Sequence, residues 1–298
     1  MKINRNIEKD SLNIREIIHN YGHLSQHNYW FYLNYAMPGE KPIFFDFSDR
    51  GGILAYEKGK TLRILTDPVS SPQKKLAVIT ELLEWALKQE NFDKVILEDI
   101  TESLKEEIFK EAKGLGFKTI KPSYVFTWPL IELKNWNEKL ESKIWKRMRN
   151  MRNKFFKNNE AQFKSVAQVN KSDLVDLILK WKKQRKNSDR VYLKQYLNFI
   201  EDGFRGFDFS RVILINGRPV SVNAGWAIPN SSDYYSCVGI YDYDCSDIGE
   251  VSYLDELAEL KKKGYQKVDL GGSEKSLLAF KLKFHPNLFY TTYTFSIF

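Results

Sequence analysis

Near its C-terminus the chain reads GGSEKSLLAFKLKFHP, residues 271–286. Gly271 and Gly272 follow an apolar run, and Lys281 and Lys283 stand among leucines and phenylalanines. A glycine pair lets backbone amides come close to a ligand. Ser273 and Glu274 open the helix expected next, where free amides and the helix dipole would favour an anion. Leu277, Phe280 and Phe284 share one face of that helix, with Lys281 and Lys283 flanking the stripe. An ammonium there could hold a phosphate or a developing oxyanion. Its stem could equally cover the border of a core.

Chemistry at such a cleft would need a positioned base to take a proton and a positioned acid to give one to a leaving group. Asp242 and Asp244 follow one apolar run, Asp269 lies in the next, and Glu274 follows the glycines; these are the candidate bases. Tyr235 and Tyr241 could protonate a leaving oxygen or sulfur, or be core rings with wet tips. Cys237 stands mid-strand with no paired histidine, which reads as an inert buried thiol. Cys237 and Cys245 are too few for a disulfide framework. His19, His23 and His27 recur every four residues, but Gly22 interrupts them and no carboxylate or cysteine cluster joins them, so no metal is expected. The P-loop, the GxSxG elbow, HExxH and CxxC are all absent.

A second chemical stretch is IWKRMRNMRNKFFKNN, residues 144–159. Helical spacing puts Trp145, Met148, Met151 and Phe155 on one side and Lys146, Arg149 and Asn153 near another. Arg147 and Arg152 lie between, each with a planar fork that suits phosphate. The segment is either a phosphate-binding helix or a linker helix with a solvated basic face. The net charge of +8 favours anionic partners, although a lysine-rich surface gives the same excess.

These residues need elements to hold them. At 298 residues, 43% hydrophobic and 28% charged, the chain has room for about two domains. No apolar run is long enough for a transmembrane helix, and the charged N-terminus does not resemble a signal peptide, so a cytoplasmic location is expected. In the second half the patterns predict helices at 171–186 and 192–204, a hairpin over 211–228 turning at Asn216-Gly217, and a strand at 233–241. A helix at 250–265 ended by Gly264, a strand at 266–272, a helix at 274–284 and a strand at 289–298 follow. In the first half, PIFFDF and GILAYE are strands, and TLRILTDPV follows the Lys58-Gly59-Lys60 turn. Then come a helix at 70–92, a strand at 93–100, a helix at 102–117 and a strand at 121–130. The strand–helix–strand–helix–strand tail occurs in both halves, which supports an internal repeat.

That α+β order resembles the acyltransferase fold called GNAT, present twice: one domain at 1–135 and a second at 136–298, opened by a basic linker helix at about 140–159. Arg149-Asn150 and Arg152-Asn153 in the basic stretch resemble the segment opening the second half of the phosphatidylglycerol lysyltransferase C-terminal domain family. Phe280-Lys281, Lys283-Phe284 and Pro286 resemble that family's ending, and Fem-type peptidyl transferases end similarly after a glycine. The resemblance implies a tandem acyltransferase fold and a functional Lys281. In coenzyme A–dependent GNAT enzymes a glycine-rich pyrophosphate loop would fall between 242 and 252. Here DYDCSDIGEVS has only Gly249 and several acids, which repel a pyrophosphate. The matching place in the first half, TDPVSSPQKK, sets Ser70, Ser71 and Lys74 at a helix start that could hold an anion or be a simple cap.

The expected function is aminoacyl transfer from an aminoacyl-tRNA or similar donor to an amine or hydroxyl on a lipid, peptide or small molecule. A coenzyme A–dependent N-acyltransferase is the alternative, and a non-catalytic binding module on the same fold is the third reading. Catalytic candidates are Lys281, Asp269, Tyr241 and Asp242. Donor- or anion-binding candidates are Arg147, Arg149, Arg152, Asn153, Gly271, Gly272, Ser273 and Lys283. Expected partners are tRNA, an anionic lipid surface touched peripherally, and the acceptor.

Overall fold

The computed structural model describes residues 1–185 and 192–298. In chain order the elements begin β1 (Lys2–Asn4), α1 (Ser11–Tyr21), α2 (Tyr29–Asn34), β2 (Lys41–Asp46), β3 (Gly52–Lys58), β4 (Thr61–Ile64), α3 (Lys75–Leu83), β5 (Lys94–Thr101), α4 (Glu102–Gly114) and β6 (Thr119–Glu132). They continue α5 (Lys146–Asn158), β7 (Ala161–Ser165), α6 (Lys171–Gln184), α7 (Leu193–Glu201), β8 (Phe209–Ile215), β9 (Arg218–Ala227), β10 (Tyr234–Tyr241), α8 (Ile248–Lys262), β11 (Lys267–Asp269), α9 (Lys275–Lys281) and β12 (Leu288–Ile297). The chain forms two compact units. One comprises Met1–Leu130, Ile228–Ser231 and Gly271–Phe298; the other comprises Ile131–Ala227 and Ser232–Leu270.

In the first unit the strand order is β1-β2-β3-β4-β5-β12-β6. β4 and β5 are parallel and joined through α3, whereas β1–β2, β2–β3, β3–β4, β12–β5 and β12–β6 are antiparallel. Ile43, Phe45, Ile53, Leu62, Val95 and Phe295 from the strands meet Val78, Leu82 and Ile108 from α3 and α4 in one buried cluster. The helix expected at 70–92 is less regular than its pattern. A 3-10 turn at Pro72–Lys74 precedes α3, and a π turn at Glu84–Lys88 follows it. Pro72 suits the first turn because a proline there forfeits no helical hydrogen bond.

In the second unit the order is β11-β10-β9-β8-β7. Among the described residues β10–β11 is the parallel pair, joined through α8. The predicted hairpin is present: Asn216 and Gly217 have φ of 50° and 76°, the pair of positive values that a type I′ turn requires. Gly264 follows α8 at φ 87°, a left-handed stop. The helix expected at 171–186 is α6, and Lys186 lies outside the described residues.

Each unit is thus a mixed sheet with one parallel strand–helix–strand crossover, the α+β class expected. The expected domain boundary at 135/136 lies five residues past the contact boundary at Leu130, and the segment from Gly271 onward packs with the first unit. The reason is β12, which inserts between β5 and β6. Strand pairing of that kind leaves no periodicity in sequence.

Candidate active site

In the second unit, β10 and β11 pair only at Tyr234↔Val268 and Tyr235↔Asp269. β11 then stops, while β10 continues to Tyr241. At the same point β10 is bulged: its register with β9 shifts between Ser236↔Gly225 and Val238↔Ala224, leaving Cys237 as the extra residue. A bulge re-aims side chains and bends a strand away from its neighbour. The two strands therefore part just beyond Asp269, and backbone groups of 236–241 are no longer accompanied by β11.

A buried polar network on α8 supports that bulge. Glu256 accepts from Asn223 Nδ2 at 2.9 Å and from Ser236 Oγ at 2.9 Å. Ser252 donates to Asn223 Oδ1 and lies 3.0 Å from Ser221 Oγ. Burial pushes the Glu256 carboxyl up to about 7, against the pull of the Asn223 and Ser236 hydrogen bonds. Sequence reasoning missed Glu256, yet a signal existed. Ser252, Tyr253, Glu256, Leu257 and Leu260 share the spacing of the buried stripe, so an acid inside that stripe needs partners.

Of the second-unit candidates, Asp269 is buried at the end of β11. Tyr241 is also buried, and its hydroxyl is raised well above 10 by burial and by Tyr253 beside it. A Cβ at Gly239 would come within 2.5 Å of the Tyr241 hydroxyl, so that glycine makes room for the ring. Asp242 accepts from Lys180 Nζ at 2.7 Å, Gln184 Nε2 at 3.3 Å and the Asp244 amide at 3.1 Å. Burial raises its carboxyl, but these donors outweigh burial and hold it below the usual range. An anchored, ionised Asp242 is a weak acceptor of a substrate proton.

Of the stripe expected there, Met148 and Phe155 on α5 and Trp145 just before it are buried, whereas Met151 is only half-buried. Arg149 donates to the Leu140 carbonyl, and Arg152 donates to the Glu138 carbonyl at 3.2 Å. Both guanidinium groups thereby hold the approach loop, a use invisible in sequence. Lys146, Arg147, Asn150, Asn153, Lys154 and Lys157 are exposed.

The first unit contains the glycine pair. Gly271 has φ +85°, and its carbonyl accepts from Lys281 Nζ at 3.0 Å and Ser273 Oγ at 3.1 Å. Lys281 is only 3% exposed, so its ammonium is turned inward onto the glycine loop. The Ser273 amide donates to the Thr127 carbonyl at 3.0 Å, which removes it from the anion site expected there. The packing stripe differs too: Leu277 is 38% exposed, whereas Lys281 and Phe284 face inward. α9 has seven residues, and a 3-10 turn at Leu282–Phe284 follows it, whose three-residue repeat sets Phe284 on the same side as Lys281. Lys283 is exposed with Nζ 5.2 Å from the Phe280 ring.

The helix start proposed for an anion in the first half is satisfied from within. Asp67 accepts from Lys75 Nζ at 2.8 Å, the Thr101 amide at 3.0 Å and Thr101 Oγ1 at 2.9 Å. Ser70 donates to the Arg50 carbonyl, and Lys74 pairs with Asp49. The histidine spacing also dissolves, because α1 ends at Gly22 and leaves His23 and His27 in the following loop. Among the described residues no group of three or more His, Cys, Asp and Glu could hold a metal ion, and no helix is long and apolar enough to cross a membrane.

No family model and no curated protein matches the sequence. Solved structures do match the fold, among them structures of lysylphosphatidylglycerol synthetase type. L-PGS from Bacillus licheniformis aligns with a TM-score of 0.71 at 16% identity, over 96% of this chain and 91% of that one. FemX aligns at 0.65 with 11% identity, over 99% and 97%. A tandem GNAT protein from the clavulanic acid biosynthesis pathway aligns at 0.58 with 9% identity, over 99% and 98%. The chain therefore has the acyltransferase fold that its element order and terminal motifs resembled.

Proposed function

We propose that the protein is an acyltransferase that takes an aminoacyl group from an aminoacyl-tRNA and passes it to an amine or hydroxyl acceptor on a lipid, peptide or small molecule. The observation that carries this reading is the parting of β10 from β11 beyond Tyr235 and Asp269, with the bulge at Cys237. Strand amides released from a ladder can hold a carbonyl as it gains charge, the work of an oxyanion hole. Within the second unit Asp269 and Tyr241 are the acid–base candidates; Lys281, in the first unit, is a candidate cation in its own right. The fold shared with L-PGS and FemX supports an acyl donor, and the exposed basic face of α5 suits the phosphates of tRNA. An anionic lipid surface would meet that same face.

Acyl-coenzyme A is the competing donor. The start of α8 argues against it there, because Asp242, Asp244, Asp247 and Glu250 crowd the place where a pyrophosphate would sit. Among the described residues Lys180 offsets them, paired with both Asp242 and Asp244. Thermal shift with aminoacylated tRNA, deacylated tRNA and acetyl-coenzyme A at two salt concentrations separates the readings. Stabilisation by tRNA that fades steeply with salt is expected, followed by loss of the aminoacyl group in the presence of acceptor. Stabilisation by acetyl-coenzyme A alone would replace the donor, and binding without turnover would indicate a binding module.

A further inference from the structure

Asp99 is the least ordinary residue of the first unit. It lies within a strand yet has φ 49°, in the left-handed region that asparagine and aspartate tolerate better than other side-chain-bearing residues. The register of β12 against β5 passes from Tyr293↔Ile100 to Phe295↔Leu97, so Glu98 and Asp99 together oppose Thr294. That is a β-bulge, and it turns the Asp99 carboxyl into the interior.

The carboxyl starts a continuous chain of contacts. Thr292 Oγ1 donates to Asp99 Oδ1 at 2.9 Å, and Gln26 Nε2 donates to Oδ2 at 3.1 Å. Trp128 Nε1 donates in turn to Thr292 Oγ1 at 2.7 Å. The Trp128 ring lies against Gly272 so closely that a Cβ there would sit 3.0 Å from it. Thr127, next to Trp128, bridges Ser273 through two backbone hydrogen bonds. Gly271, at the start of this loop, receives Lys281.

We infer that Asp99 is a positioning residue: through Thr292 and Trp128 it fixes the Gly271–Ser273 loop and thereby the ammonium of Lys281. The functional weight of this inference rests on Lys281 being the site cation, but the mechanical link stands by itself. Burial, and then the neighbouring charge of Glu98, push the Asp99 carboxyl up to about 7. The charged groups facing it are Glu98 on its own strand and Arg63 on β4; Gln26, Thr292 and Thr294 are its uncharged neighbours from the α1–α2 connection and β12.

Two readouts on the full chain test the link without turnover. In the first, lysines are reductively methylated with formaldehyde and cyanoborohydride and mapped by peptide mass spectrometry. Lys281 is expected to label at least roughly ten-fold more slowly than exposed Lys283, since its ammonium is buried and hydrogen-bonded. Asp99→Asn and Thr292→Val should each speed Lys281 labelling several-fold, while buried Lys105, whose ammonium rests 3.6 Å from the Tyr293 ring, stays slow and reports an intact fold. Thr292→Ser keeps the hydroxyl and should keep Lys281 protected. In the second, the Trp128 indole N–H resonance, identified by its loss in Trp128→Phe, should shift with pH around 7 and stay flat in Asp99→Asn. Unchanged Lys281 labelling in both variants, or an indole resonance that ignores pH in the parent protein, would overturn the inference. Failure of acyl transfer would touch neither result, so the two proposals fall separately.

Discussion

Glu256 shows how much one residue type says about its surroundings. An ordinary glutamate carboxyl ionises near about 4.3. In the folded protein Glu256 is 1% exposed and its carboxyl is pushed up to about 7 by burial. Between those values the folded chain keeps a proton that the unfolded chain releases. Stability therefore falls as pH rises from about 4.5 to about 7, and is flat in this term outside that window. Asp99, at about 7, and Asp255, at about 6, act in the same direction. Glu256→Gln keeps the shape and removes the titration. The fall in unfolding free energy between pH 5 and pH 8, measured in urea, should shrink by about 2–3 kcal/mol in the variant. An identical pH slope in the two proteins would mean that Glu256 does not carry this proton. Arg63 is the opposite kind of buried charge. It is held between Glu40 and Glu98 and lies 4.4 Å from the Tyr56 ring centre, so its charge is compensated on both sides.

At the scale of the element, α5 divides its arginines into two classes. Arg149 and Arg152 satisfy carbonyls of the 138–140 loop, whereas Arg147 faces solvent on the same side as Lys154. Losing a hydrogen bond that ties a loop costs about 1 kcal/mol, while an exposed substitution stays within about 0.5 kcal/mol. Arg149→Ala and Arg152→Ala should therefore lower the urea midpoint, and Arg147→Ala and Lys154→Ala should leave it in place. Binding to tRNA should show the reverse order. Each exposed cation that meets a phosphate contributes about one unit to the salt slope, so Arg147→Ala and Lys154→Ala should flatten that slope. Equal slopes in all four variants would remove α5 from the donor surface.

For the whole molecule, the decisive feature is that the last strand belongs to the first unit. β12 pairs with β5 through Thr292↔Thr101 to Ile297↔Val95 and with β6 through Leu288↔Leu130 to Ile297↔Thr119. Phe295 and Ile297 also fill the core beneath α3 and α4. A chain ending at Asn287 would leave β5 and β6 with unpaired edges and a hole where Phe295 sits, a loss well beyond the margin of an ordinary domain. Such a truncation should abolish cooperative unfolding of the first unit, followed by amide exchange across 43–100. Native-like protection in that region without β12 would contradict the topology described.

Residue order by itself determined the elements that depend on neighbours in sequence. Asn216-Gly217 specified its turn, Gly264 its helix stop, and Met148 and Phe155 the buried side of α5, with Met151 of the same stripe half-buried, because turns and helix faces are set within a few residues. The doubled strand–helix–strand pattern was legible for the same reason. What only the tertiary structure decided were pairings between distant residues. Nothing in SEKSLLAFKLKF announces that Lys281 turns onto Gly271 while Leu277 faces outward, since the carbonyl that receives the ammonium is placed by the glycine loop and not by the spacing within the helix. Likewise Glu98-Asp99 reads as two acids in a strand until Thr294, almost two hundred residues later, opposes them both. Hydrogen bonds and strand registers across such separations depend on how the chain closes in space, and local spacing does not encode that closure.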